Sequence, residues 1–219
     1  MIIAPSILNA NNLQLKKEIG KAVDAGITRF HIDIMDGHFV PNLSYGPQLV
    51  SDFKREFPMI DAGIHLMSDN PKTLVPEFVK AGADLIELHY EAMSEEDLDY
   101  WIDYLISNGV KAGLVLNPET PISVVKKFAP KINQLLLMTV HPGFGGQGFL
   151  PESSERIEKA RSLLDKNGFN IPIEVDGGID DQTAQIAANS GAEIFVAGSY
   201  IFGKDSIQAQ IDRLTEVLK

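Results

Sequence analysis

The chain contains no cysteine. A disulfide framework and a thiolate zinc site are both excluded, and the composition fits a reducing compartment, with the cytoplasm as the expected location. Basic residues are in deficit: 19 lysines and arginines stand against 30 aspartates and glutamates, a formal net charge of −11. That sign argues against a nucleic-acid partner. It also denies an anionic substrate any long-range steering, so a phosphate site here must be local and built from oriented donors. No apolar run approaches the roughly 20 residues that a membrane helix needs. Residues 1–6 carry no basic region and break at Pro5, unlike a secretory signal. No membrane partner is expected. Low-complexity segments, linkers, charge runs and strict repeats are lacking as well.

What is present is a chain of 219 residues, 44% hydrophobic, which predicts a soluble globular protein with a sizeable core. Short β-rich runs fall at 2–8, 28–34, 60–66, 84–89, 111–116, 134–140, 171–175 and 193–197. Amphipathic helical patterns lie between them, at 13–25, 45–57, 72–81, 95–107, 122–128, 152–167, 180–190 and 206–218. Ser94 ahead of Glu95-Glu96-Asp97 reads as an N-terminal cap, and Asn108-Gly109 as the end of that helix. Gly26, Gly82 and Gly191 stand where left-handed caps close a helix. Pro71 and Pro121 stand where a first helical position accepts proline. Eight strand–helix units with a period of about 27 residues, beginning with a strand, predict a parallel sheet. The expectation is a single (β/α)8 TIM barrel over residues 1–219. An open doubly wound sheet is the alternative, but no Gly-x-Gly-x-x-Gly follows the first strand.

In such a barrel the chemistry lies at the C-terminal strand ends. The second run carries His31, Asp33 and Met35 on one face and Ile32 and Ile34 on the other, because strand side chains alternate. His65 and Met67 share a face at the end of the third, and Asp176 ends the seventh. His31, Asp33, His65 and Asp176 thus converge as a mixed nitrogen and oxygen set. Such a set suits one divalent ion, zinc first, with ferrous iron, manganese or cobalt also accepted. A satisfied polar core near the rim is the plainer reading. Met35, Met67 and Met138 are packing residues that would wall such a site against water. Glycines cluster after strand six (Gly143, Gly145, Gly146, Gly148), strand seven (Gly177-Gly178) and strand eight (Gly198-Ser199). Glycine turns that lead into helices after the last two strands make a backbone phosphate site. His89 and His141 read as supporting or solvated groups, and His38 as a loop residue without a role.

The stretch His31-Ile32-Asp33-Ile34-Met35-Asp36-Gly37-His38-Phe39-Val40-Pro41-Asn42 resembles the signature of the ribulose-phosphate 3-epimerases. So do Ala4-Pro5-Ser6, His65-Leu66-Met67, Pro142-Gly143-Phe144-Gly145-Gly146-Gln147, Glu174-Val175-Asp176-Gly177-Gly178 and Val196-Ala197-Gly198-Ser199. The resemblance runs the whole chain in order and implies that the barrel is of the ribulose-phosphate-binding type. It implies an isomerase of the pentose phosphate pathway that epimerises carbon 3 of a phosphorylated ketose, D-ribulose 5-phosphate to D-xylulose 5-phosphate. It implies His31, Asp33, His65 and Asp176 as metal ligands, and Asp33 and Asp176 as the acid/base pair acting through a metal-stabilised enediolate. It further implies that Ser6, His65, Met35, Met67, Met138, Gly145, Gly146, Gly177, Gly178, Gly198 and Ser199 meet the substrate, and that the chain forms a homo-oligomer, a dimer or a hexamer.

His141 departs from the family's usual asparagine, and Leu116-Asn117-Pro118-Glu119-Thr120-Pro121 looks more like the related allulose-6-phosphate 3-epimerases. D-Allulose 6-phosphate is therefore the alternative substrate. Orotidine-phosphate decarboxylases use a related barrel but place a lysine where Met35 stands. A non-catalytic phosphosugar-binding protein would be expected to lack a ligand or an acid, and none is missing.

Overall fold

The computed structural model describes residues 1–204 and 206–219, and within them the alternation is realised. The strands are β1 (Ile2–Pro5), β2 (Arg29–Met35), β3 (Asp61–Met67), β4 (Leu85–His89), β5 (Lys111–Leu116), β6 (Gln134–Met138), β7 (Ile173–Asp176) and β8 (Ile194–Ala197). The helices are α1 (Leu15–Asp24), α2 (Pro47–Glu56), α3 (Pro71–Ala81), α4 (Glu95–Ser107), α5 (Val125–Phe128), α6 (Ser153–Lys166), α7 (Asp181–Asn189), α8 (Ser199–Phe202) and α9 (Ile207–Val217). All strand pairs are parallel, in the order β1-β8-β7-β6-β5-β4-β3-β2. A parallel bridge between Ser6 and His31 then joins β1 to β2 and brings the ring round. With β1 between β8 and β2, the sheet is a (β/α)8 barrel and the open alternative is excluded.

The first strand is shorter than the run at 2–8 because the chain turns out of the sheet just after Ser6, whose N–H still donates to Ala197 O at 3.1 Å. Ser6 Oγ accepts the N–H of Leu8 at 3.2 Å and caps a 3-10 turn over Ile7–Asn9. Strand seven starts late because Pro172 has no N–H to give, though its carbonyl accepts from Leu135 at 3.1 Å. Helix ends follow expectation: Ser94 Oγ accepts from Asp97 N–H at 3.1 Å, and Gly26, Gly82, Gly109 and Gly191 are left-handed. Pro71 opens α3, whereas Pro121 sits one residue ahead of its 3-10 turn.

Two shells separate by strand parity. Ile32, Ile34, Ile64, Leu66, Ile86, Leu88, Leu114, Leu116, Leu135 and Leu137 face outward and pack on Phe53, Phe78, Trp101, Leu105, Leu164 and Leu214 of the helices. Each such side chain stabilises by about 1.5–3 kcal/mol on burial. The inward face is mixed. Val115, Leu136, Met138 and Val140 form one small apolar cluster, and Ala4, Ile194 and Val196 another. Between them runs a polar network. Arg29 donates to Gln134 Oε1 at 2.8 Å and to Glu174 Oε2 at 3.1 Å. Gln134 Nε2 in turn donates to Glu87 Oε1 at 2.7 Å and to Glu174.

Glycines inside strands make room for it. A Cβ on Gly113 would stand 2.7 Å from Glu87 Cγ, and one on Gly63 3.4 Å from Arg29 Nη2. Burial, with the Glu174 charge nearby, pushes Glu87 up to about 7. For Glu174, burial is overcome by Arg29 and His31, which hold its carboxyl below the usual range. Among the described residues, no helix is long and apolar enough to cross a membrane.

Candidate active site

Register delivers the ligand-type residues to one end of the barrel. Asp33 on β2 pairs with His65 on β3, Met35 with Met67, and Met138 on β6 with Asp176 on β7. His31, Asp33, His65 and Asp176 each offer an atom within 4.8 Å of the others. His31 Nε2 lies 3.1 Å from His65 Nδ1, 3.4 Å from Asp33 Oδ1 and 3.6 Å from Asp176 Oδ2. His65 Nδ1 lies 3.3 Å from Asp33 Oδ1 and 3.5 Å from Asp176 Oδ2. Four donors at about 2.0–2.2 Å from one ion in a tetrahedron stand about 3.3–3.6 Å apart. The distances from the two imidazole nitrogens, 3.1–3.6 Å, lie close to those tetrahedral edges, so the donor set fits a divalent cation.

Electrostatics point the same way. Burial tends to lower His31, but Asp33, Glu174 and Asp176 override it and hold the imidazole well above its ordinary value. Burial likewise opposes His65, yet hydrogen bonds to Asp176 and Asp33 take it up to about 9. Burial works to raise Asp33, and His31 and His65 overcome it, holding that carboxyl well below the usual carboxylate range. The cluster is an anionic hole that calls for positive charge.

Neighbours fix the ring orientations. His31 Nδ1 lies 2.9 Å from Glu174 Oε1, and an ionised carboxylate can only accept, so that nitrogen carries the proton and Nε2 faces the cluster. Ser6 Oγ donates to Asp33 Oδ2 at 2.5 Å. His89 is fully buried with its Nε2 at 2.8 Å from His65 Nε2, and burial pushes it down to about 4.

A cleft opens above the cluster, lined by Ser6, Asp33, Met35, Met67, Met138 and Asp176 on one side. Its other side is Gly143–Gln147, Gly177-Gly178, Gly198 and Ser199. Every substrate-contact residue expected from the sequence lines it except His65, which lies buried beneath as a donor to the cluster. Gly177 and Gly178 have φ of 120° and 66°, and a Cβ on them would meet Val140 Cγ2 at 2.3 Å and Phe149 N at 2.2 Å. Only glycine fits there. Among the described residues, no lysine or arginine lines the cleft.

Asn9 was not singled out by the sequence. It lines the cleft, and a Cβ on Gly145 or Gly198 would stand 2.7 or 2.4 Å from its Oδ1. The signal available was a carboxamide three residues beyond Ser6. His141 also lines the cleft, with Nδ1 3.3 Å from Glu119 Oε1 at the solvent edge, while His38 is exposed and meets Asp69.

The sequence profile described as the ribulose-phosphate 3 epimerase family matches residues 2–202. The chain belongs to the ribulose-phosphate 3-epimerase family. It is thereby an enzyme of the isomerase class. It is 40% identical over 217 residues to the ribulose-phosphate 3-epimerase of Escherichia coli, covering 99% of this chain and 96% of that one. The protein of that name from Bacillus subtilis is 39% identical over 213 residues, 97% of each chain. The one from Chlamydia trachomatis is 43% identical over 210 residues, 94% of this chain and 88% of that one. Among solved structures, a 3-hexulose-6-phosphate synthase superposes with a TM-score of 0.74 over 100% of both chains at 16% identity. An orotidine 5'-phosphate decarboxylase from Pyrococcus horikoshii gives 0.70 at 13% identity, over 99% of each. Likeness at those identities speaks to the barrel alone.

Proposed function

We propose that the chain epimerises carbon 3 of D-ribulose 5-phosphate, giving D-xylulose 5-phosphate, in the cytoplasm. The observation that carries this reading is that Asp33 and Asp176 face one cleft with two imidazole nitrogens between them. His31, Asp33, His65 and Asp176 would hold a divalent ion, zinc first and ferrous iron, manganese or cobalt as alternatives. Bound there, the ion supplies Lewis-acid stabilisation of negative charge on the sugar oxygens.

Inverting a carbon beside a ketone requires removing its proton on one face and returning one on the other. Asp33, ionised and held by the Ser6 hydroxyl, takes the proton from carbon 3. Asp176 gives one from the opposite face, and the roles exchange in the reverse direction, so the pair carries one proton between them. The charge left on the substrate spreads over the carbonyl as an enediolate, and no redox cofactor is required. Met35, Met67 and Met138 exclude water from that carbanion equivalent. The phosphate is held by backbone N–H groups of Gly145, Gly146, Gly177, Gly178, Gly198 and Ser199, with the Ser199 hydroxyl. That amide cradle explains how a chain of net charge −11 with no cationic side chain in its cleft takes a phosphorylated sugar.

D-Allulose 6-phosphate is the second reading, favoured by the likeness of residues 116–121 to those enzymes and by His141, which lines the cleft and lies 3.3 Å from Glu119 Oε1. Proton NMR in deuterium oxide with zinc-loaded protein tests both, each sugar phosphate in its own tube. Loss of the proton on carbon 3 with new epimer signals is expected, faster with ribulose 5-phosphate. Exchange in neither tube, with zinc confirmed bound, would overturn the proposal. The family resemblance suggests a dimer or a hexamer, which sedimentation velocity would distinguish.

A further inference from the structure

A chain of polar groups leads away from His65 on the side opposite the cleft. His65 Nε2 lies 2.8 Å from His89 Nε2, and the two rings meet edge to edge, their centroids 5.0 Å apart and their planes at 22°. His89 Nδ1 lies 3.2 Å from Glu91 Oε2. The other oxygen, Glu91 Oε1, accepts the backbone N–H of Asn117 at 2.8 Å and the Thr120 hydroxyl. That loop is pinned in turn: Arg156 Nη2 donates to the carbonyls of Asn117 and Thr120, both at 3.0 Å. His89 and Glu91 do not line the cleft.

Counting protons along this chain fixes each tautomer. The Glu91 carboxylate only accepts, so His89 Nδ1 carries a proton. A neutral His89 then has a bare Nε2. Two ring nitrogens at 2.8 Å share one proton, which must sit on His65 Nε2. His65 Nδ1 is then the nitrogen that yields its proton to a cation and turns a lone pair to the cluster. We propose that His89 and Glu91 are positioning residues that lock His65 in its ligating tautomer, an assignment resting on the reading of His65 as a metal ligand. Glu174 does the same for His31 in one step, whereas His65 is reached through a relay anchored on the β5–α5 loop.

Glu91→Gln tests this sharply. The Asn117 N–H demands an oxygen at the Oε1 position, so the new amide must turn its NH2 toward His89 Nδ1. Two donors cannot face each other, and His89 must move its proton to Nε2. The proton on His65 is then driven to Nδ1, the atom that faces the cluster. Zinc affinity, measured by competition with a chelator, is expected to fall 10–100-fold in Glu91→Gln. Glu91→Ala, which removes the acceptor without inserting a donor, is expected to lose less. Nitrogen-15 NMR of histidine-labelled protein before zinc is added should show His89 protonated on Nδ1 in the parent and on Nε2 in Glu91→Gln. A merely structural role would lower the melting temperature without reversing that tautomer. Zinc affinity of Glu91→Gln within twofold of the parent, or His89 protonated on Nε2 in the parent, would overturn the proposal. A parent chain that shows the expected tautomer yet binds no zinc overturns the ligand reading instead, and the two failures are thus told apart.

Discussion

Ser6 and Asp33 meet across 27 residues of sequence, the Ser6 hydroxyl donating to Asp33 Oδ2 at 2.5 Å. The direction of that hydroxyl is set from behind, because the same oxygen accepts the Leu8 N–H. On the proposed mechanism this bond supports the ionised form of the base. A hydrogen bond to a charged group contributes about 1.5–3 kcal/mol. Ser6→Ala should therefore lower kcat/KM by about 10–100-fold in steady-state assays, with the melting temperature close to the parent. Unchanged kcat/KM would remove the hydroxyl from the mechanism.

The proton pair makes a stronger claim. On the proposed mechanism, Asp33→Asn and Asp176→Asn each delete a group that moves a proton, a contribution of about 10²–10⁴-fold. Turnover in either should drop by at least that much while far-ultraviolet circular dichroism stays that of the parent. Near-normal turnover in either variant contradicts a two-carboxylate scheme.

On the proposed function, binding at the glycine turns separates from chemistry. Gly178→Ala puts a Cβ at a left-handed φ of 66° against the Phe149 backbone, and Ser199→Ala removes one hydroxyl donor. Both should raise KM more than they lower kcat, and calorimetry with the sugar phosphate should show the matching loss of affinity. Equal binding in Ser199→Ala and in a folded Gly178→Ala would refute the phosphate assignment.

The barrel interior offers a test of stability rather than activity. Gly113→Ala would force the Glu87 side chain from its place against Gln134, since the new Cβ stands 2.7 Å from Cγ. Overpacking of this kind costs about 1–3 kcal/mol. Urea unfolding should report a loss in that range.

The sequence displays the strands and the four converging groups because both obey period two: Ile32 and Ile34 declare one face of β2, His31 and Asp33 the other. The glycine turns are legible through their position, since Gly177-Gly178 and Gly198-Ser199 each carry the chain from a strand end toward a helix, where backbone amides gather. The polar network inside the barrel is not legible in the same way. Arg29, Glu87, Gln134 and Glu174 lie 40–145 residues apart along their hydrogen bonds, and each looks like a lone exception in an apolar run. The hint was Gly63 and Gly113 inside strands, where glycine signals the close approach of something large. His89 and Glu91 hid for another reason: their spacing of two is common, and only the turn after β4 makes it a relay. Asn9 was obscured by a first strand expected to run on past Ser6.

That no lysine or arginine lines the cleft, among the described residues, has a kinetic corollary. Where a positive field draws in a phosphorylated substrate, added salt slows capture. On the proposed function, the approaching dianion meets a chain of net charge −11 and is repelled until it reaches the amide cradle. Salt screens that repulsion. The association rate of the sugar phosphate in stopped-flow experiments should therefore rise between low and moderate potassium chloride, and a fall would mean that a local positive potential governs the encounter.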